Sequence, residues 1–171
     1  MPRPPFDPIA ILQALDAHGV RYIVAGALGR VIHGSPELTD GIDIVPSMKD
    51  ENRSRLGLAL EALNARRADG KPLNVETDIV RQAVLELKTN AGELKLVPEP
   101  AGTRGYDDLR RGANREPLGR GVRPSVASLP DHARMLAALN RRQDLETLQT
   151  VRRLIELERQ RSRGRGLSRE R

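Results

Sequence analysis

The 171-residue chain has no cysteine, no tryptophan, one phenylalanine and two tyrosines. Without thiols there is no disulfide, no thiolate nucleophile and no cysteine-based zinc site. Without aromatic platforms, recognition of nucleic acid by base stacking is disfavoured. The core must therefore be Leu, Val, Ile and Ala. No apolar run approaches the ~20 residues that a membrane-spanning helix needs. The opening MPRPPFDP carries no apolar signal core. These absences predict a cytoplasmic protein with no membrane contact.

The chain is long enough for one domain with a substantial core. Its formal charge of +6 is unevenly spread. Arg159, Arg161, Arg163, Arg165, Arg169 and Arg171 stand against the single Glu170, so residues 159–171 hold most of the excess and the body is near neutral. The body lacks the charge footprint of a dedicated DNA-binding domain. The expected organisation is one domain over residues 1–158 and a basic, disordered tail over 159–171. That tail could contact nucleic-acid phosphates without sequence preference, although a solubilising end is the expected role.

The most informative stretch is Tyr22 to Val45, YIVAGALGRVIHGSPELTDGIDIV. Tyr22–Ala25 reads as a short buried strand broken by Gly26. A helix follows over Ala27–Ile32, ended by Gly34, Ser35 and Pro36. Ile42–Val45 returns as a strand carrying Asp43. Backbone N–H groups at the start of the helix can hold phosphate oxygens, and a carboxylate on the returning strand can hold a bridging Mg²⁺. Gly26 serves equally well as a residue needed for tight strand-to-helix packing.

Other elements follow from periodicity and punctuation. A first helix starts at Asp7 or Pro8, with Ile9, Leu12 and Leu15 inward and Gly19 as its stop. A long helix runs from about Glu51 to Arg66, capped by Ser47 or Asp50. Residues 68–74 are a polar loop, and Glu76–Arg81 a short turn or helix. Val84–Lys88 and Glu93–Val97 form a hairpin around Asn90-Ala91-Gly92. Tyr106–Leu109 opens a short helix, with Asp107 and Asp108 as capping and dipole residues. Val122–Val126 is a short strand, placed at an edge by Pro124. Ser128 caps a helix to about Leu139. The last helix, about Arg142 to Gln160, buries Leu145, Leu148, Val151 and Leu154 or Ile155.

The central stretch resembles the nucleotidyltransferase superfamily, in the small branch that includes the abortive-infection (AbiE-type) toxin enzymes. Gly26-Ala27, His33-Gly34, Thr39 and Asp43 stand where that pattern has them. The resemblance covers roughly residues 8–157, taking in the hairpin and the Pro100–Leu109 segment. It implies an α/β (α+β) fold: a small mixed sheet flanked by helices, with a C-terminal helical segment. It also implies nucleotide or phosphate contacts at Gly26, Ala27 and Thr39, the last more often a loop-shaping residue. His33, at a helix end, is expected to satisfy a local hydrogen bond rather than to catalyse.

The family's three metal-binding carboxylates are only partly present. Asp43 is retained as the catalytic and metal-binding candidate. Gly41 replaces the first acid of the pair, Lys95 replaces the third, and Leu136 replaces a helix lysine, while Arg141 and Asp144 are kept. Side chains alternate along a strand, so a carboxylate that shares a metal with Asp43 belongs at position 41. Asp40 would serve only through a bulge, and Glu93 lies one pleat nearer the turn. Lys95 is expected to face Asp43, either as an ion pair in the place of Mg²⁺ or reaching out to solvent.

The expected function is a nucleotidyltransferase fold without metal-dependent transfer. It would be a pseudo-enzyme with a binding or regulatory role, related to toxin–antitoxin systems and partnered by another protein. The alternative is an active, Mg²⁺-dependent enzyme moving a nucleotide from a nucleoside triphosphate to tRNA or a protein hydroxyl.

Overall fold

Residues 4–168 are described by the computed structural model, with side chains described to residue 166. Helix α1 (Pro8–Ala17) is capped by Asp7, whose carboxylate accepts from the Ala10 amide at 3.0 Å. Pro8 occupies the first turn, where its missing N–H is not needed. Strand β1 (Tyr22–Ala25) leads directly into helix α2 (Gly26–Ile32), and β2 (Gly41–Pro46) returns antiparallel to β1.

Helix α3 (Asp50–Ala62) is shorter than its apolar pattern suggested. Asn64 turns into the left-handed region at φ +50, and Arg66–Arg67 join the sheet as β3. Neither Ser47 nor Asp50 caps it with a side-chain bond. Asn52 fixes its start instead, accepting from the Arg21 amide and donating to the Arg21 and Ser47 carbonyls. Helix α4 (Val75–Arg81) precedes the hairpin of β4 (Leu85–Thr89) and β5 (Gly92–Leu96).

Helix α5 (Tyr106–Leu109) and the two-residue strands β6 (Asn114–Arg115) and β7 (Ser125–Val126) come next. Ser128 caps α6 (Leu129–Leu139), accepting from the Asp131 amide at 3.1 Å. A 3₁₀ turn at Arg142–Asp144 then feeds α7 (Leu145–Ser168).

The strands form one mixed sheet in the order β3-β4-β5-β2-β1-β7-β6. β5 runs parallel to β2, and β7 runs parallel to β1. β7 is second from the edge rather than at it, because β6 pairs along its outer side. Strand alternation sorts the sheet into two faces. Ile42 and Ile44 of β2, Leu85 and Leu87 of β4, and Leu94 and Leu96 of β5 are all buried in one cluster with Leu12 and Leu15 of α1 and Leu56 and Leu60 of α3. On the opposite face, Ile23, Ala25 and Val45 pack with Leu109 of α5 and Met135 of α6. Asp43 and Lys95 belong to that second face, which also holds the cavity described below.

α7 buries Leu148 and Val151, but Leu145 is 57% exposed, contrary to its place in the expected stripe. The helix continues past Gln160 to Ser168. The described part of the basic tail is thus helical rather than irregular, and its residues 159–166 are exposed. Residues 169–171 of that segment lie outside the described residues.

Candidate functional site

A cavity of about 740 Å³ opens on the second face of the sheet, between β2, β5, α2 and α6. Asp43, Asp40, Glu86, Glu93, Glu99, Arg30, Lys95, Arg141, Thr39 and His132 contribute its polar groups, and Met135, Leu136 and Leu139 a large part of its apolar wall. It therefore gathers nearly all of the residues singled out from the sequence: Gly26, Ala27, Thr39, Asp40, Gly41, Asp43, Glu93, Lys95, Leu136 and Arg141.

Strand register makes a row across the cavity floor. Ala25 of β1 lies level with Asp43 of β2, Asp43 with Lys95 of β5, and Lys95 with Glu86 of β4. The ammonium of Lys95 therefore stands between two carboxylates. Its ion pair is with Glu86, at 4.0 Å, and not with Asp43. Of the two expectations for Lys95, the ion pair with Asp43 is not formed: the half-exposed ammonium leans to the neighbouring strand and acts on Asp43 only by a looser, longer-range attraction. Burial raises the pKa of the Asp43 carboxyl above the ordinary carboxylate value, with the Lys95 and Arg30 cations pulling it down and Glu86 adding to the rise.

Asp43 is also pressed against the start of α2. A Cβ placed on Gly26 would lie 2.4 Å from Asp43 Oδ2, and Gly26 itself sits at φ +63. Glycine is required here twice over, for the left-handed turn and for the close approach of the carboxylate. The Asp43 carboxylate therefore lies against the Gly26 backbone at the start of α2, a helix of seven residues. Thr39 is likewise engaged, its hydroxyl donating to the Gly41 carbonyl at 2.7 Å and shaping the turn into β2.

The residues present do not fit a catalytic Mg²⁺. Among the described residues no group of three Asp, Glu or His side chains could hold a metal ion. Asp40 is exposed, in the bend before β2. Glu93 lies level with Gly41 rather than with Asp43, and a Cβ on Gly41 would come 3.2 Å from the Glu93 Cβ. Glu93 is thus two residues along the strand from the level of Asp43. Lys95 adds a positive charge at the level of Asp43.

Arg30, Glu37 and His132 were not anticipated. Arg30 Nε and Nη2 each donate to Glu37 at 2.8 Å, and Ser35 Oγ donates to Glu37 at 2.7 Å. Burial opposes ionisation of Glu37, but these bonds hold its carboxyl below the usual range. His132 is 1% exposed. Burial, reinforced by the Arg30 and His33 charges, pushes its pKa down to about 3. One signal was available in the sequence: His132 falls at an inward position of the α6 stripe, between Leu129 and Leu136. His33 makes a long-range bond rather than the local one expected, from Nε2 to the Ala127 carbonyl at 2.8 Å. Arg141 is tied to Asp144 by two hydrogen bonds, and Leu136 is buried.

No protein-family pattern matches the chain, and no curated protein matches it. Solved structures do. A provisionally assigned nucleotidyltransferase from Thermotoga maritima, TM1012, is similar at a TM-score of 0.53 and 17% identity, over 82% of this chain and 86% of that one. The antibiotic-resistance factor ANT(2'')-Ia, whose solution structure is described as showing substrate-regulated conformation dynamics, is similar at a TM-score of 0.55 and 16% identity. That likeness covers 95% of this chain and 92% of the resistance factor. The mixed sheet with its flanking helices is the nucleotidyltransferase fold.

Proposed function

We propose that this chain is a nucleotide-binding pseudo-enzyme: a nucleotidyltransferase fold that has lost metal-dependent transfer and acts as a binding or regulatory module. The observation that carries this reading is the Asp43–Lys95–Glu86 row. Nucleotidyl transfer by two metal ions needs converging carboxylates. Here the acid of the triplet that remains, Asp43, lies level with Lys95 on the next strand, has a raised pKa, and rests on the Gly26 backbone. Each lost ligand removes orders of magnitude from turnover. The kinship to AbiE-type toxins and a toxin–antitoxin role belong to the same proposal, as does a protein partner.

An active enzyme with a rearranged site is the second reading, favoured by Glu93 beside Gly41. Its acceptor would be tRNA or a protein hydroxyl. The test is transfer of label from ATP, CTP, GTP and UTP to tRNA and protein, with and without Mg²⁺. We expect none. Incorporation that vanishes in Asp43→Ala would overturn the pseudo-enzyme reading. The companion variant, Gly41→Asp with Lys95→Asp, should acquire Mg²⁺-dependent thermal stabilisation. The new side chain at position 41 requires the Glu93 Cβ to yield by a few tenths of an ångström.

A further inference from the structure

The body of the chain is near neutral on average, but the fold separates its charges. Residues 110–123, which lead from α5 through β6 towards β7, carry Arg110, Arg111, Arg115, Arg120 and Arg123 against a single acid, Glu116. All five arginines are exposed. Arg110 pairs with Asp107 at 3.4 Å and Arg120 with Asp7 at 3.1 Å. Arg111, Arg115 and Arg123 form no ion pair among the described residues.

Strand register sets two of these side by side. Arg115 lies level with Ser125. The ladder continues from the Glu116 amide to the Pro124 carbonyl at 3.0 Å, and from the Leu118 amide to the Val122 carbonyl at 2.9 Å. Val122 and Val126 turn into the core, so Arg115, Arg123 and Ser125 share the opposite face of the ribbon. Arg115 Nη1 donates to the Arg123 carbonyl at 3.5 Å. Like charges this close on paired strands repel. Arg111 stands four residues before Arg115, at most ~14 Å from it along the chain. Arg111 also lines a groove of about 590 Å³ with Arg104, Gly102 and Thr103. The acids of that groove are already met, Asp107 by Arg110 and Asp108 by Arg134 at 3.0 Å. Arg111 adds only a longer-range attraction to Asp108. Arg104 is exposed and has no ion pair among the described residues.

Four uncompensated guanidinium groups thus form one surface, and its remaining chemistry narrows what they meet. None of the exposed large hydrophobic residues among the described ones falls between positions 104 and 123. A protein partner buries an apolar centre, and a membrane surface takes an apolar wedge; neither is offered here. The one aromatic in the stretch, Tyr106, is half-buried, so bases find no open stacking platform. What is presented is a set of planar forks suited to phosphate oxygens. The surface adjoins the cavity through α6, which gives Arg134 to the groove and Met135 and Leu136 to the cavity.

We propose that Arg104, Arg111, Arg115 and Arg123 bind the phosphate backbone of a nucleic acid without reading its sequence. The inference does not depend on what the cavity binds. It places a nucleic-acid contact on the body of the protein, separate from the basic end of α7.

The test is fluorescence anisotropy of labelled oligouridylate with the full chain over a series of salt concentrations. Arg104→Gln, Arg111→Gln, Arg115→Gln and Arg123→Gln, made together, should lower the salt slope by about 3, at ~0.7 per phosphate contact. Binding near ~0.1 M salt should weaken by more than about tenfold. The melting temperature should not fall, because none of the four side chains is held in an ion pair. Oligoadenylate should bind as oligouridylate does. A variant slope equal to that of wild type, or no binding by wild type, would overturn the proposal. So would polyglutamate binding as tightly as RNA, which marks a site for acidic protein. A preference beyond about tenfold between the two RNAs marks base reading and overturns it as well. Should the variant fail to fold, phenylglyoxal modification of wild type decides. Oligouridylate must protect Arg111, Arg115 and Arg123, and modification at an undiminished rate overturns the proposal.

Discussion

Acidification should expose the cost of burying His132. In the unfolded chain this histidine titrates near its ordinary value of 6.5, whereas in the folded protein it stays neutral down to about 3. Between those values the unfolded state takes up a proton that the folded state refuses. The depressed histidine therefore lowers stability as pH falls below 6.5, at ~1.4 kcal/mol per pH unit. Going from pH 7 to pH 4.5 removes about 2.5 kcal/mol through this one residue.

His132→Leu abolishes that term. The difference in stability between the variant and wild type should then grow by about 2.5 kcal/mol over the same interval. In a chain of this size that corresponds to a divergence of ~5–10 °C in melting temperature. The other groups near the ring are Arg30, His33 and Glu37, and both proteins share them. Glu37, with its lowered pKa, also loses stabilisation in acid, so the comparison between variant and wild type isolates His132. Thermal melts of the two proteins at half-unit steps from pH 7 to pH 4.5 suffice. Parallel curves would show that His132 takes up its proton in the fold over the same pH range as in the unfolded chain, and the description of an imidazole kept neutral by burial would be wrong.

Gly26→Ala should destabilise by about 2 kcal/mol, from the left-handed backbone and from the Asp43 carboxylate that must move. Removing that carboxylate as well, in Gly26→Ala/Asp43→Ala, should recover part of the loss; a neutral single variant in thermal melts would refute the close approach. Asp43→Asn should stabilise by about 1 kcal/mol near pH 7, because an ionised carboxyl with few compensating contacts is relieved. Its raised pKa means that wild type regains stability as pH falls through the folded value, so the advantage of the variant must shrink in acid. A lower melting temperature for Asp43→Asn at pH 7.5 would contradict it. Replacing Arg159, Arg161, Arg163 and Arg165 by Gln should reduce the salt slope of single-stranded RNA binding by about 3, if all four meet phosphates. An unchanged slope in fluorescence anisotropy would remove α7 from any nucleic-acid contact.

The combination at this site is coherent physically. A dication would stabilise Asp43 as a carboxylate in a partly buried cavity. With Gly41 two residues away on β2 and Lys95 level with it on the next strand, that carboxylate instead meets distant cations and partial desolvation. The cavity persists with an apolar wall and with hydrogen-bonding groups on α2 and α6.

Local rules made much of the fold legible. The run Tyr22–Ala25, the break at Gly26 and the return at Ile42 specify strand, turn, helix and strand, because apolar alternation and a glycine with φ +63 act over a few residues. The hairpin of Leu85–Leu96 and the Ser128 cap were equally local. Period-two geometry also stated which positions of β2 share a face with Asp43, and so singled out position 41. Tertiary structure alone decided how those faces met. It paired Lys95 with Glu86 rather than Asp43, seated Asp43 on Gly26, and ended α3 early by drawing Arg66–Arg67 into the sheet. It brought His132, a hundred residues along the chain, against Gly29 beside Arg30. Sequence patterns act between near neighbours and along one element. Which partner a side chain finds across the sheet, and whether a buried nitrogen finds any, depends on strand register and helix packing that only the assembled fold provides.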